Sequence, residues 1–142
     1  MFITRATRHD MSDVEELLKS EGWEDHDLRE GTTFIARDGK VVGCIRVVEV
    51  APQTLVVDDV LVREDRRGEG IGRDLMRAAM NSRGGTMYLC CHDDKIGFYE
   101  KFGFTEVAVN ALLEPVSEYF DRSGDLHPPE GHEHFYLSAR AK

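Results

Sequence analysis

The sequence has few cysteines, no long apolar run and no excess of basic side chains. Its three cysteines are an odd number and two of them, Cys90 and Cys91, are adjacent, which indicates neither a disulfide framework nor a CxxC metal pair. No apolar run approaches the roughly 20 residues that a membrane span needs, and residues 1–10 lack the apolar core of a signal peptide. We therefore expect a protein of the reducing cytoplasm, with no membrane partner.

Acidic side chains outnumber basic ones by 27 to 18, which gives a formal net charge of -9. This balance argues against a general binder of phosphate backbones, so nucleic acid is not an expected partner. It mildly favours a small cationic partner. A chain of 142 residues forms most simply a single domain, 1–142, and buries roughly two thirds of its unfolded surface.

Strand and helix patterns alternate along the chain, which predicts a mixed α/β domain. The capping-box pattern of Ser12 and Glu15 predicts a first helix within 11–23, and a tight turn at Asp38-Gly39 joins two β-branched strands. The apolar stripe of the first helix is Val14, Leu17 and Leu18. The predicted strands are 2–6, 32–36, 41–50, 54–62, 86–91, a short strand from about Phe104, and 134–139.

Two further helices have recognisable ends. One ends near Gly84, which is available for a left-handed cap. Its apolar positions are Ile71, Leu75, Met76 and Ala79. Another ends at Gly103, and Phe104 is expected to fold back on Phe98 or Tyr99. Residues 110–133 mix a short helical stretch with a Pro- and Gly-rich loop.

The most informative stretch is 65–75, DRRGEGIGRDL, between a predicted strand and a predicted helix. A helix N-terminus leaves N–H groups unpaired and carries partial positive charge, and glycine lets an anion approach the backbone closely. The pattern is not Walker A, because no Lys-Ser/Thr follows, and it departs from GxGxxG. We predict an anion site here; a plain glycine turn and an unrelated nucleotide-phosphate binder are the alternatives.

The segment RRGEGIG resembles the (Q/R)-x-x-G-x-(G/A) signature of the GNAT superfamily of acyl-CoA-dependent N-acetyltransferases, with Arg67, Gly70 and Gly72 at the defined positions. The preceding VLV and the later FYEKFGF agree with that family. The resemblance covers residues 54–106 well and the rest only by element order. It implies a GNAT-like fold, a mixed sheet of six or seven strands flanked by about four helices, with acetyl-CoA as co-substrate.

The resemblance also implies which residues bind acetyl-CoA. Backbone amides of 67–72, with Arg73, would hold the pyrophosphate, while 60–62 would separate from the strand 86–91 and bond the pantetheine and the thioester carbonyl. His92 stands where the family commonly has asparagine, and it would bond the pantetheine or transfer a proton. The implied residues are Val60, Leu61, Val62, Arg67, Gly68, Glu69, Gly70, Ile71, Gly72, Arg73, His92, Phe98 and Tyr99.

Three catalytic candidates follow from the resemblance and the chemistry. Tyr99 stands at the position of the family's general acid, although it would also suit an aromatic packing cluster. Asp58 and Asp59 lie in one strand, so alternation predicts opposite faces, with one of them as the base that deprotonates the amine. An ion pair with a nearby arginine, or a water chain in place of a direct base, are the alternatives.

The remaining cysteines, histidines and acceptor-pocket positions are interpreted as follows. Cys90 and Cys91 suit small apolar packing better than a covalent acetyl-cysteine route. The histidines of the loop lack a supporting ligand pattern, so no metal site is predicted; they are His127, His132 and His134. In the family, the acceptor pocket is shaped by the first helix region and the segment before the last strand. The matching positions are Trp23, Asp25, His26, Glu114, Glu118, Tyr119 and Asp121.

The sequence therefore predicts an N-acetyltransferase that acts on a primary amine of a small, cationic molecule or of an amino acid. The alternative is a non-catalytic acyl-CoA-binding module that senses or regulates. Because dimers are common in the family, a homodimer is a further expectation of the resemblance.

Overall fold

A computed structural model of the protein describes residues 1–23 and 30–141. Within these ranges the chain forms seven strands and four α-helices. The strands are β1 (Phe2–Arg5), β2 (Thr32–Asp38), β3 (Lys40–Ala51), β4 (Thr54–Val62), β5 (Gly85–Cys91), β6 (Thr105–Val107) and β7 (Phe135–Ala141). The helices are α1 (Met11–Ser20), α2 (Ile71–Ser82), α3 (Ile96–Glu100) and α4 (Glu114–Ser123).

The strands form one mixed sheet with the hydrogen-bonded order β1-β2-β3-β4-β5-β7-β6. β4 pairs with β5 in parallel, from Thr54 opposite Thr86 to Val56 opposite Tyr88. The pairs β1–β2, β2–β3, β5–β7 and β6–β7 are antiparallel. The predicted fold, a mixed sheet of six or seven strands with about four helices, is confirmed.

The chain divides into two compact units. The first comprises Met1–Val48 and Val57–Arg83, and the second comprises Glu49–Val56 and Gly84–Lys142. None of the described helices is long and apolar enough to cross a membrane.

In the first unit, α1 packs its apolar stripe into a cluster of buried residues. The cluster is Val14, Leu17, Leu18, Ile35, Val41, Cys44 and Leu61. The predicted capping box is wrong, because Ser12 already lies inside the helix and Asp10 is the N-cap residue. The Asp10 carboxylate accepts the backbone N–H of Thr7 at 2.8 Å, and this bond is the main cause of its lowered pKa. Asp10 thus fixes the turn that leads into α1.

Helix α2 buries one face of its twelve residues in the first unit. The buried side chains are Ile71, Leu75, Met76, Ala79 and Met80, which include every predicted apolar position. Each fully buried Leu, Ile or Met side chain contributes about 1.5–3 kcal/mol. Gly43 of β3 allows this contact, since a Cβ there would lie 3.1 Å from side-chain atoms of both Ile71 and Leu75.

Helix α2 does not end in a left-handed Gly84 cap, which corrects that prediction. Arg83 becomes extended directly after the helix (φ -153°), so no left-handed residue is needed there. The positive φ lies instead at Gly85 (+118°), in the second unit, where a Cβ would sit 2.5 Å from the carbonyl oxygen of Gln53. That close approach requires glycine at the start of β5.

In the second unit, the helix end at Gly103 agrees with the prediction. Gly103 adopts φ +91°, and the Phe104 ring folds back to 6.0 Å from the Tyr99 ring. Phe104 is fully buried at 1% exposure, so this turn anchors α3 in the core of its unit. The predicted closing strand is present as β7, which lies between β5 and β6 in the sheet.

Candidate functional site

The glycine segment forms a tight loop that enters α2 in the first unit. A short 3-10 helix, Glu64–Arg66, follows β4 and leads to two left-handed glycines, Gly68 (φ +85°) and Gly70 (φ +84°). Gly70 is the N-cap residue of α2. A Cβ on Gly70 would lie 2.8 Å from an Arg73 guanidinium nitrogen, so the Arg73 side chain lies against the bare backbone of the loop. Side chains other than glycine rarely adopt these conformations.

Backbone donors collect at the start of α2. The N–H of Arg67 donates to Glu64 at 3.4 Å within the 3-10 turn, and the N–H of Asp74 donates to Gly70 at 3.1 Å. Between them, no N–H of 68–73 bonds to a backbone acceptor within residues 1–23 and 30–141. The first turn of a helix leaves such donors pointing along its axis, with a partial positive charge. The loop therefore presents a helix N-terminus whose N–H groups have no backbone acceptor among the described residues, as the predicted anion site requires.

The arginines of this loop are paired with acidic groups. Arg66 contacts Glu69 and Asp38, each at 3.0 Å. Arg67 donates to the carbonyl oxygen of Val62 and to Glu21, each at 3.0 Å, and so ties the loop to the end of β4. These acidic partners offset part of the positive charge of Arg66 and Arg67, while the helix terminus adds its own partial positive charge.

Asp58 and Asp59 of β4 meet at one guanidinium, which corrects their predicted placement on opposite faces. Arg46 donates through Nε to Asp59 at 2.7 Å and through Nη2 to Asp58 at 3.3 Å. The cause is the backbone of Asp59, whose φ of +54° interrupts strand alternation. The Arg46 and Asp59 side chains are 5% and 1% exposed, so this ion pair is buried; the Asp58 side chain, at 20%, is the more accessible carboxylate.

Tyr99 is held by aromatic neighbours on α3 and just beyond it. Its ring lies 5.0 Å from that of Phe98 and 6.0 Å from that of Phe104, in edge-to-face contacts. The residue is 8% exposed, and burial raises the pKa of its hydroxyl well above the ordinary value. The packing interpretation of Tyr99 therefore holds, and the raised pKa keeps the hydroxyl protonated, as a general acid requires.

His92 follows β5 and packs against two histidines that the sequence places far away. Its ring lies 5.6 Å from that of His132 and 5.1 Å from that of His134. The contact follows from the antiparallel register of β5 and β7, in which Cys91 lies opposite Phe135. Sequence reasoning missed this cluster, because the pairing of β5 with β7 across residues 92–134 leaves no local pattern. The signal that the sequence does contain is one histidine directly after β5 and two just before β7.

The predicted acceptor-pocket positions have varied surroundings. Trp23 packs against the cluster of the first unit, and Tyr119 is buried with the Arg122 guanidinium 5.1 Å from its ring centre. Asp121 contacts His127 at 2.6 Å on the surface. Glu114 and Glu118 lie on α4. Asp25 and His26 lie outside the described residues.

All three cysteines are free thiols, and two of them, Cys44 and Cys91, are buried, which lowers their reactivity. Burial raises the pKa of Cys44 to about 12 and that of Cys91 to about 11.

Because the thiolate is the nucleophile, we expect iodoacetamide at about pH 8 to label Cys90 first and Cys91 about a hundredfold more slowly than a free cysteine. Peptide mass spectrometry of time points measures the rates. Guanidinium-unfolded protein is the control, in which all three should react alike; equal rates in the folded protein would contradict this prediction.

Comparisons with known proteins identify the family and the fold. Residues 29–106, more than half of the chain, match the model of the acetyltransferase (GNAT) domain. Rv2747 of Mycobacterium tuberculosis, solved in complex with CoA and NLQ, is 17% identical, with a TM-score of 0.73 and 99% coverage of both chains. An aminoglycoside 6'-N-acetyltransferase complexed with coenzyme A is 19% identical, with a TM-score of 0.73 and coverage of 100% of this chain and 98% of that one.

A third solved structure, N-acetylglutamate synthase from Neisseria gonorrhoeae with coenzyme A and N-acetyl-glutamate, is 14% identical, with a TM-score of 0.73. The match covers 100% of this chain but 36% of that one, so this chain spans about a third of that enzyme. No curated protein sequence matches the chain. At these identities the structural likeness establishes the fold of the sheet and its helices.

Proposed function

Because this chain belongs to the GNAT family of acetyltransferases, we propose that it transfers an acetyl group from acetyl-CoA to a primary amine. The amine attacks the thioester carbon directly, passes through a tetrahedral intermediate and expels the CoA thiolate. The observation that carries this proposal is the helix terminus at Gly70, whose backbone donors and left-handed glycines suit a diphosphate.

The loop residues of the first unit fit the pyrophosphate of acetyl-CoA. The N–H groups of 68–73 would donate to its oxygens, and the bare Cα atoms of Gly68 and Gly70 would allow close approach. Arg73, whose side chain is 52% exposed, lies close enough to Gly70 to add a charge at the same place. Arg67 would act mainly by holding the loop against Val62.

The reaction chemistry is assigned to three groups. Backbone groups of 60–62 would bond the pantetheine and the thioester carbonyl, where a donor stabilises the developing oxyanion. Tyr99 would protonate the departing thiolate, with Phe98 beside it lining the thioester end. Of the two aspartates, Asp58 is the better base, because its carboxylate is the more exposed of the pair; a water chain to it would serve the same purpose. His92 would contact the pantetheine.

The acceptor is proposed to be a small molecule with a primary amine. One of the similar structures is an aminoglycoside 6'-N-acetyltransferase and another is an N-acetylglutamate synthase with bound N-acetyl-glutamate, which supports a small-molecule acceptor. The net charge of -9 favours a cationic acceptor by attracting it to the protein. We also propose that residues 1–142 form a single catalytic domain. A cytoplasmic location suits its three free thiols. A homodimer is the proposed oligomeric state.

Release of free CoA thiol with a panel of amines tests the activity. We expect release to depend on the amine, with higher kcat/KM for a polyamine, an aminoglycoside or lysine than for a neutral amino acid. Acetyl-CoA binding without release for any amine would instead identify a non-catalytic acyl-CoA-binding module. ATP or NAD binding that CoA does not displace would identify a different phosphate ligand.

Substitution Gly70→Glu tests the loop. The φ of +84° strains any side chain, and a carboxylate there repels the diphosphate, so we expect acetyl-CoA affinity to fall about tenfold to a hundredfold. Isothermal titration calorimetry measures the affinity. Gly131→Glu is the matched control, because Gly131 has the same φ of +84° and open space around it, yet lies in the other unit. Equal affinity in the Gly70→Glu variant and the wild type would remove the loop from the proposal.

A further inference from the structure

Three side chains with metal-binding atoms meet in the second unit. They are Cys90 near the end of β5, Asp125 just after α4 and His134 just before β7. Their donor atoms, a thiol sulfur, a carboxylate oxygen and a ring nitrogen, all lie within 4.8 Å of one another, and all three residues are partly buried. Thiolate, imidazole and carboxylate are the protein ligands of Zn²⁺.

The strand register explains why residues 44 positions apart come together. β5 and β7 pair antiparallel, with Cys90 opposite Tyr136. Directly opposite residues share a face, and so do residues two positions apart on one strand. Position 134 therefore falls on the same face as Cys90. The end of α4 supplies the third ligand, because Gly124 adopts φ +90° and turns the chain at Asp125.

The hydrogen bonds of the cluster leave one ring nitrogen of His134 available to a metal. Its Nδ1 lies 2.7 Å from the backbone carbonyl oxygen of Asp125, which also accepts the Tyr136 hydroxyl at 2.8 Å. A carbonyl oxygen only accepts, so Nδ1 carries the hydrogen, and in the neutral ring Nε2 keeps its lone pair. Metal-binding histidines are held in this way, with the second nitrogen donating to a carbonyl or carboxylate.

The other two ligands are also supported by neighbours. The Asp125 carboxylate accepts the Ser123 hydroxyl at 3.1 Å, as ligating carboxylates commonly accept a second bond. The Cys90 sulfur lies 3.9 Å from the same Asp125 carbonyl, a long contact for a thiol donor. A carbonyl oxygen has two lone pairs, and this one already accepts two shorter hydrogen bonds. Loss of the long thiol contact on deprotonation of Cys90 therefore costs little free energy.

We propose that Cys90, Asp125 and His134 bind a divalent transition-metal ion of the Zn²⁺ type, with water at the fourth position. In a tetrahedral zinc site, bonds of about 2.0–2.3 Å place donor atoms about 3.3–3.8 Å apart, so donor atoms that lie up to 4.8 Å apart move together by up to about 1.5 Å. Binding replaces the thiol proton of Cys90, which leaves to solvent, and metal affinity therefore rises with pH. This proposal does not depend on acetyl transfer.

The test uses the untagged full chain, stripped of metal with a chelator. Zn²⁺ affinity is measured by competition with a chromophoric chelator, and Co²⁺ absorption reports thiolate ligation through its charge-transfer band. We expect one equivalent of metal, a thiolate band, and affinity at least about a hundredfold weaker in Cys90→Ser and His134→Ala. His127→Ala is the control and should bind as the wild type does, because the His127 ring pairs with Asp121 and is not one of the three clustered ligands.

Three results would overturn the proposal. They are less than half an equivalent bound at micromolar free Zn²⁺, unchanged affinity in Cys90→Ser and His134→Ala, or equal loss in His127→Ala. Circular dichroism checks that each variant is folded. If His134→Ala does not fold, the isosteric Asp125→Asn replaces it, and the proposal then requires weaker Zn²⁺ binding and a retained thiolate–cobalt band in that variant.

Discussion

Replacement of Tyr99 by phenylalanine is expected to lower kcat about a hundredfold to ten-thousandfold, with little change in KM for acetyl-CoA. The substitution removes only the hydroxyl that would protonate the departing thiolate. The ring keeps its edge-to-face contacts with Phe98 and Phe104, so the fold of α3 should persist. Steady-state release of CoA thiol at saturating amine and acetyl-CoA measures both constants.

The pH profile separates an acid from a packing residue. Burial raises the pKa of Tyr99 above its ordinary value of 10.0, so the wild type keeps this proton through the whole range below that pH. We therefore expect no loss of wild-type kcat from Tyr99 ionisation there, and a deficit in Tyr99→Phe at every pH. Tyr88→Phe in β5 is the matched control and should leave kcat unchanged. Full kcat in Tyr99→Phe across pH would leave Tyr99 with packing alone.

Local sequence patterns predicted most of the elements because each rests on short-range physics. The strand 54–62 has the predicted bounds, and the turn at Asp38-Gly39 joins β2 and β3, with Asp38 opposite Lys40 and a register shift between Ala36 and Arg37. The apolar faces of α1 and α2 follow from helical spacing. The helix cap was not predicted correctly, since Asp and Ser both favour the N-cap position, and in the structure that residue is Asp10.

Features that depend on long-range pairing could not be predicted. Alternation placed Asp58 and Asp59 apart, and nothing in the sequence near them indicates the positive φ at Asp59. Their shared partner, Arg46, comes from a neighbouring strand. Likewise the cluster of His92 with His132 and His134 depends on how β7 pairs with β5. The family motif located the candidate loop and Tyr99, but the surroundings of the aspartates and histidines needed the structure.

Arg46 is a buried charged residue of the first unit, and it donates to three acceptors. Its guanidinium is 5% exposed and donates to both aspartates of β4 and to the carbonyl oxygen of Glu30 at 2.9 Å. Removing one partner of a buried ion pair leaves the opposite charge in a poorly solvated place. The bond to Asp59 also fixes the left-handed backbone of that residue, which a non-glycine side chain adopts only when its surroundings compensate the strain.

We therefore expect Arg46→Met to lower the free energy of unfolding by about 3–5 kcal/mol, because it removes this guanidinium from two carboxylates. Urea denaturation followed by circular dichroism measures the change. Arg37→Met is the matched control, since Arg37 also bridges two aspartates, Asp10 and Asp13, but on the surface, where ion pairs contribute little. Adding Asp59→Asn to Arg46→Met should recover part of the loss, because the uncompensated charge is gone. If both arginine variants unfold at the same urea concentration as the wild type, the buried ion pairs of Arg46 do not contribute the expected free energy of unfolding. Asp58 and Asp59 would then be held in place by other contacts.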